Sequence, residues 1–289
     1  MAIALAPWAL LAVAAMWGIS FVWMKDILDQ QDVYSFLACR FLVAALAMLI
    51  ARPKVITKIN LRVLSIGGVA GAALGLGYIF QTLGLERTTP AITGFITGLY
   101  VVLTPLIGVF LLLDRLTAAA WFYIGLATVG LGVLSISGWS IGFGEILVLV
   151  SALLFAIHII LLGRWSSHFD TYTLTFVQLS TCALVSGIPA VINGFQAPPD
   201  KQTWGVVIFT ALFATFFAFI IQTWSQARIS ATKVAVILTT EVVFAALFSV
   251  ALGAEPLTVR ILIGGSMVLI AMIMIVQPRV TPQETKSDS

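Results

Sequence analysis

The run VAVILTTEVVFAALFSVALGA, residues 234–254, carries one ionisable side chain, Glu241, near its centre. A stretch of that length reads as a membrane-spanning helix. Its carboxyl group then lies close to the bilayer midplane, where insertion scales place an acidic residue at roughly 2.5–3.5 kcal/mol unfavourable. An acid kept there is a candidate site. It can hold a cationic group, or it can load and release a proton, since burial in general favours the protonated carboxyl. The competing reading is a structural Glu, protonated or paired. Thr239, Thr240, Tyr100 and Arg40 are its expected hydrogen-bond partners.

Other residue types gather around the same chemistry. Trp17, Ser20 and Phe21 share a helix face by i, i+3, i+4 spacing. Aromatic walls with one polar group suit amphipathic or cationic ligands. Phe155 and His158 repeat that face, and His158 is read either as a hydrogen-bonded neutral side chain or as a proton relay. Gln81 and Gln222, each followed by threonine, are candidate rim groups, with interhelical hydrogen bonding as the alternative. Thr93, Thr97 and Tyr100 recur on one face. Arg40 is expected to pair with a carboxylate or to snorkel to the surface. Lys233 either guards the inner mouth or is a solvated helix end. Gly67, Gly71 and Gly75, spaced by four, read as a close-packing face.

Catalytic and metal chemistry have no comparable support. Cys39 and Cys182 both sit in apolar runs, and His158 and His168 are too isolated to form a zinc site. There is no paired-carboxylate, Ser/His or Cys/His arrangement, and no G-x-x-x-x-G-K-[ST] stretch. No catalytic residues, no metal and no cofactor are therefore expected, and the protein is not read as an enzyme. A net charge of +3 is too small to suggest nucleic acid.

Positioning these residues requires helices in lipid. The 289-residue chain is 61% hydrophobic and 9% charged, with a mean hydropathy of +1.10. Soluble chains carry about 25% charged residues, so this is an all-α integral membrane protein. Apolar runs bounded by charges, Pro or Gly predict ten spans, at 6–24, 34–50, 63–84, 89–112, 118–137, 144–162, 172–194, 203–224, 231–252 and 258–277. No basic residue precedes Lys25, so the first span is expected to be retained rather than cleaved. The tail 281–289 is polar and expected to be disordered.

With the N-terminus inside, the cytoplasmic segments hold Arg52, Lys54, Lys58, Arg62, Arg115, Arg164, Arg228, Arg279 and Lys286. The other side holds Lys25, Arg87, Lys201 and Arg260. This bias predicts both termini in the cytoplasm.

The halves also match each other. At an offset of 138, Trp17, Ser20, Asp32 and Tyr34 fall on Phe155, His158, Asp170 and Tyr172. At an offset of 141, Gln81-Thr82, Arg87, Tyr100, Val101-Val102 and Leu116-Thr117 fall on Gln222-Thr223, Arg228, Glu241, Val242-Val243 and Leu257-Thr258. Five helices per repeat make the second copy inverted. The expected units are helices 1–5 in residues 1–137 and helices 6–10 in residues 138–280. Such pairs exchange inward- and outward-open forms around a midplane site.

These features resemble the drug/metabolite transporter superfamily, EamA type. MWGISFVWMK (16–25) is similar to its W-G-x-x-F opening, and CRFLVAALAML (39–49) to its R-F-x-x-A-x-x helix. LLLDRLT (111–117) and LGAEPLT (252–258) stand where the family has G-E-R-L, and TTEVVFAAL (239–247) resembles E-P-V-F-x-A-L. The chain departs from the pattern at Val242 and Val101, where the family has proline, with Pro105 one turn further on. A fourth helix kinked at a different depth and a straighter ninth helix are therefore expected. Asp114-Arg115 and Pro256 are further departures.

The resemblance implies a ten-helix secondary carrier of small metabolites, often an exporter of amino acids or drug-like compounds. It also implies a cavity lined by helices one, three, four, six, eight and nine. The expected function is export of a small organic solute across the cell inner membrane by alternating access. Glu241, with Arg40 and Lys233, would couple proton or substrate occupancy to the exchange as two five-helix bundles rock. A monomer or homodimer in the bilayer suffices. The alternative class is a passive channel or lipid scramblase.

Overall fold

The computed structural model describes residues 2–28, 30–88, 90–112, 116–135, 142–252 and 256–276. Asp114, Arg115, Glu255, Arg279 and the tail 281–289 lie outside these residues. All regular structure among the described residues is helical. The helices are α1 (Ala2–Leu28), α2 (Val33–Ala51), α3 (Leu61–Leu85), α4 (Pro90–Gly98), α5 (Tyr100–Leu112), α6 (Ala118–Ser135) and α7 (Phe143–Trp165). They continue as α8 (Thr171–Ile192), α9 (Lys201–Ala211), α10 (Ala218–Gln226), α11 (Ala231–Leu238), α12 (Thr240–Ala251) and α13 (Val259–Val276). A π-helical segment, Leu212–Phe217, joins α9 to α10 without a break.

Eight stretches are long and apolar enough to cross a membrane: Ile3–Met24, Val33–Ala51, Leu61–Leu85, Thr93–Phe110, Phe143–His168, Thr171–Ile192, Lys201–Gln226 and Ala231–Ala251. Two further apolar helices, Ala118–Val133 and Val259–Ile275, are shorter. Large apolar side chains such as Ile50, Phe110 and Val191 stand exposed on the outside, as lipid contact permits. In hydrocarbon the backbone must satisfy itself, so helix ends carry dedicated caps. Asp32 accepts from the Ser35 amide and hydroxyl (2.9 and 3.0 Å), and Asp170 accepts from those of Thr173 (3.0 and 2.7 Å). Asn60 and Asp200 cap α3 and α9 by accepting from the Val63 and Thr203 amides. A side-chain cap of this kind contributes about 1 kcal/mol.

Two of the long stretches are interrupted at a single residue, α4–α5 at Leu99 and α11–α12 at Thr239. The second interruption falls in the predicted ninth helix, where a straighter course than the family's was expected. Two threonines stand there, and no proline. The hydroxyls of Thr239 and Thr240 donate to the carbonyls of Val236 and Ile237 (2.7 and 2.6 Å). Those are the acceptors a continuous helix offers to the amides of Thr240 and Glu241. Hydroxyl back-bonding of this type bends helices. In the first stretch Pro105 is carried inside α5, and the break falls at Leu99, where the amide turns to the Ile96 carbonyl (3.1 Å).

The buried apolar residues form two main clusters. One joins α1, α5, α6 and α7 to α11–α13, and the other joins the far end of α1, α2 and α3 to α8, α9 and the π segment. Each draws on both halves of the sequence. Trp17 and Phe155 pack on both clusters. Between α3 and α8 the glycine face does what its spacing predicts. A Cβ on Gly71 would lie 2.5 Å from the Gln178 carbonyl oxygen, and one on Gly67 would lie 2.8 Å from Val177.

Candidate functional site

A cavity of about 50 Å³ opens between the two clusters. Room for one water takes about 10–15 Å³, so the space is a few waters in size. Its wall comes from α1, α2, α3, α4, α5, α7, α10, α11 and α12. Most of the lining falls into pairs related by the sequence offsets. Trp17 pairs with Phe155 and Ser20 with His158 at 138; Tyr78 with Phe219, Gln81 with Gln222, Thr97 with Leu238 and Tyr100 with Glu241 at 141.

Glu241 is the second residue of α12, just past the Thr239 interruption, and Tyr100 is the first residue of α5, just past Leu99. The two interruptions thus bring a phenol and a carboxyl face to face: Tyr100 donates to Glu241 Oε1 at 3.4 Å. That long contact is the only hydrogen bond of the Glu241 carboxyl group among the described residues, and neither Lys nor Arg reaches salt-bridge distance. Thr239 and Thr240, expected as partners, spend their hydroxyls on the backbone. Gly18 lets α1 approach here, since a Cβ on it would sit 2.9 Å from the Glu241 carbonyl oxygen and 2.6 Å from Phe244 Cβ.

The aromatic wall is continuous. Trp17 meets Phe219 at 5.6 Å between ring centroids, Tyr78 meets Phe155 at 5.2 Å, and His158 meets Phe219 at 6.0 Å. The Phe155 ring fits because Gly77 has no side chain, with ring carbons 2.6 Å from where its Cβ would be. His158 Nε2 lies 2.8 Å from Gln178 Oε1, whose amide nitrogen donates to the Leu174 carbonyl (3.1 Å). The imidazole is therefore the donor. Gln81 donates to Thr97 Oγ1 (3.1 Å). Gln222 donates to Gln226 (3.1 Å), but its own Oε1 is buried without a partner.

Arg40 corrects two expectations. It neither snorkels, being 1% exposed, nor pairs with a carboxylate among the described residues. Its Nε donates to Thr215 Oγ1 (2.7 Å), Nη2 to the Ala214 carbonyl (3.2 Å) and Nη1 to Met24 Sδ (3.6 Å), with Tyr78 beneath the guanidinium at 4.8 Å. The π segment supplies these oxygens, and Trp17 Nε1 donates to the same Ala214 carbonyl (2.8 Å).

Two predicted residues fall away from the wall. Thr93 is buried but hydrogen-bonds Thr88 (2.6 Å), one turn beyond the cavity. Lys233 stands in the first turn of α11, capped through its amide by Ser230, outside the lining. The side chains of Phe21 and Lys25 lie outside what the structure describes.

Sequence reasoning missed Met24, Leu74, Tyr78, Ile159, Phe219 and Leu238 on the wall. Tyr78 and Phe219 stand three residues before Gln81 and Gln222, so helix spacing combined with the repeat would have found them. Helix two, through Arg40, joins the six helices expected.

At one end of the bundle Asp170 meets Arg52 (3.5 Å). Partial burial pushes the Asp170 carboxyl up, but hydrogen bonds from Thr173 and the charges of Arg52 and Lys58 outweigh it and hold it below its ordinary range.

The profile of the EamA-like transporter family matches residues 4–136 and again 142–277. An uncharacterized transporter of Archaeoglobus fulgidus is 35% identical over 264 residues, spanning 91% of this chain and 83% of the relative. A second from that organism is 24% identical over 277 residues, covering 94% and 99%. A solved crystal structure, described only as that of a protein, superposes with a TM-score of 0.79 over 93% of this chain and 96% of its own at 18% identity. That likeness speaks for the fold. With a profile matched twice across most of its length and a relative of this identity, the chain belongs to the EamA-like transporter family.

Proposed function

We propose that this multi-pass membrane transporter is a secondary carrier that exports a small organic solute, such as an amino acid or an amphipathic compound, across the cell's inner membrane, both termini cytoplasmic. The eight long apolar stretches and the two shorter helices make ten crossings, arranged as two inverted five-helix repeats. The doubled family match supports this arrangement. Local chemistry supports it as well. Asp32 and Asp170 cap equivalent helices through equivalent contacts. Arg87 and Arg228 each donate to the carbonyl four residues back, Leu83 and Trp224, at 2.7 and 2.6 Å.

The observation that carries the reading is the contact between Tyr100 and Glu241, repeat-related residues that meet in one cavity just past two helix interruptions. Discontinuous helices at a midplane site are how inverted-repeat carriers expose it to one side and then the other. Exchange then moves one apolar cluster against the other, with Trp17 and Phe155 at their junction. Glu241 couples cargo or proton occupancy to that movement.

The test is a thermal-stability screen of purified protein, wild type beside Glu241→Gln, against amino acids, polyamines, nucleosides and amphipathic cations. A ligand at 100 times its Kd stabilises the folded state by about 2.7 kcal/mol. Compounds that stabilise the wild type and lose that effect in the variant, and that drive saturable counterflow in proteoliposomes, support the carrier. Flux that never saturates and shows no counter-exchange would replace it with the passive channel or scramblase.

A further inference from the structure

Away from the cavity, positive charge gathers where α2 turns into α3 and α7 into α8. Residues 51–65 and 161–172 hold Arg52, Lys54, Lys58, Arg62 and Arg164 against one carboxylate, Asp170. That carboxylate is already committed: it accepts from Thr173 and pairs with Arg52 at 3.5 Å, and the charge of Lys58 reaches it too. The α2–α3 connection is a 3-10 helix, Pro53–Lys58, pinned to the bundle by the buried Val55. Arg62, in the first turn of α3, lays its guanidinium over two rings of the α7–α8 junction, Trp165 at 5.8 Å and Phe169 at 5.7 Å. Arg52 lies over Tyr172 in the same manner, at 5.4 Å. A guanidinium stacked on a ring keeps its N–H edge available to an anion. Neither Lys58 nor Arg62 has a salt bridge among the described residues.

Apolar surface continues from these charges. Leu61, Leu64 and Gly68 share a face of α3 by i, i+3, i+7 spacing. Leu61 is 85% exposed and Leu64 51%, and a Cβ on Gly68 would meet nothing within 4 Å. Arg62, Leu61 and Leu64 border one shallow groove. Because α3 is one of the long apolar stretches, this face runs from the basic end into the depth of the lipid chains.

We propose that this end of the bundle binds an anionic phospholipid, its phosphate between Lys58 and Arg62 with Arg52 beside them, and an acyl chain along Leu61, Leu64 and Gly68. Basic pockets between membrane helices take acidic headgroups in this way. A topology signal needs only the charges; it does not need arginines laid on aromatic rings beside an exposed apolar face. A zwitterionic lipid brings a cation of its own to a place already rich in them, and a soluble phosphate leaves the leucines uncovered. The site is separate from the cavity and does not depend on the cargo. The proposed topology puts it in the cytoplasmic leaflet.

The experiment compares ligands on the unaltered protein first, so it does not depend on a variant folding. Full-length protein in detergent is titrated with dioleoyl phosphatidylglycerol, dioleoyl phosphatidylcholine and chain-free glycerol 3-phosphate, and bound ligand is counted by native mass spectrometry. Phosphatidylglycerol should bind at least about tenfold tighter than either of the others. Each cation near an acidic headgroup contributes about fivefold, so Lys58→Gln with Arg62→Gln should erase the preference. Arg87→Gln with Lys201→Gln removes the same charge at the opposite end of the bundle and should keep it. Equal binding of the two lipids overturns the proposal, as does a preference that survives in the Lys58/Arg62 double variant. Glycerol 3-phosphate binding as tightly as the lipid would make this a soluble-anion site, and equal loss in both double variants would make it an effect of net charge; either result also overturns it.

Discussion

The two interrupted helix pairs occupy equivalent places in the repeat, yet they are built differently. The α4–α5 break at Leu99 is a local tightening of the backbone between apolar neighbours, and it presents a phenol. The α11–α12 break at Thr239 is held by two threonine hydroxyls and presents a carboxyl group. The frame is nearly symmetric and the chemistry is not. On the carrier reading proposed above both properties have a use: equivalent halves would give two conformations of similar energy, and an unequal wall would give the cargo a direction in which to lie.

The sharpest test of that contrast removes the charge alone. Glu241→Gln keeps shape and the Tyr100 contact, so the protein should fold with its melting temperature little changed. Counterflow in proteoliposomes should drop by at least about tenfold, the effect of one charged hydrogen bond lost to the cargo. Tyr100→Phe, across the same 3.4 Å contact, should lower exchange less.

The next largest effect comes from forcing α1 away from the start of α12. Gly18→Val places new carbons against Phe244, the Ala245 amide and the Glu241 carbonyl, where even a Cβ would approach to 2.6–2.9 Å. Overpacking of this kind costs about 1–3 kcal/mol. It should be read as a lower melting temperature with transport reduced in step, in contrast to Glu241→Gln.

Thr239→Val and Thr240→Val each remove a hydroxyl from the second break while preserving shape. Each should cost about 1 kcal/mol, and the double variant should leave the α11–α12 break held by backbone alone, as at Leu99. Hydrogen exchange across residues 236–242 measures that directly, with faster exchange expected in the double variant.

The smallest effect lies at the bundle end, where Asp170 has an arginine and its counterpart Asp32 has no salt bridge among the described residues. A carboxyl held below its ordinary range stabilises the fold above about pH 4, and that stability is lost as pH falls through its lowered value. The group is 40% exposed, so screening leaves a few tenths of a kcal/mol. Asp170→Asn should lower stability by that much at pH 7, and wild type and variant should converge in acid.

Sequence pattern reached much of this wall, and its failures have physical causes. Trp17 with Phe155 and Gln81 with Gln222 are legible because related residue types recur in register. Thr97 with Leu238 is hidden, because the repeat preserves the position and not the polarity. The Thr239 interruption carries no Pro or Gly signal, only an ordinary threonine pair. Arg40 suggested a carboxylate because a buried cation usually has one. Its actual partners are oxygens of a π-helical turn, a feature with no composition signature. Thr93 shares a face with Thr97 and Tyr100, but helix spacing does not say where along that face the cavity ends.

The π segment Leu212–Phe217 has a consequence for insertions and deletions. A helix advances about 100° per residue, so the phase of everything after the segment depends on its length. Deleting one residue there would turn α10 by that angle, swinging Phe219 and Gln222 off the cavity wall and bringing other side chains round in their place. Point substitutions at Phe213 and Phe217, which face outward, should be absorbed. A change of a single residue in length should not be, although it would leave the apolar character of the stretch intact.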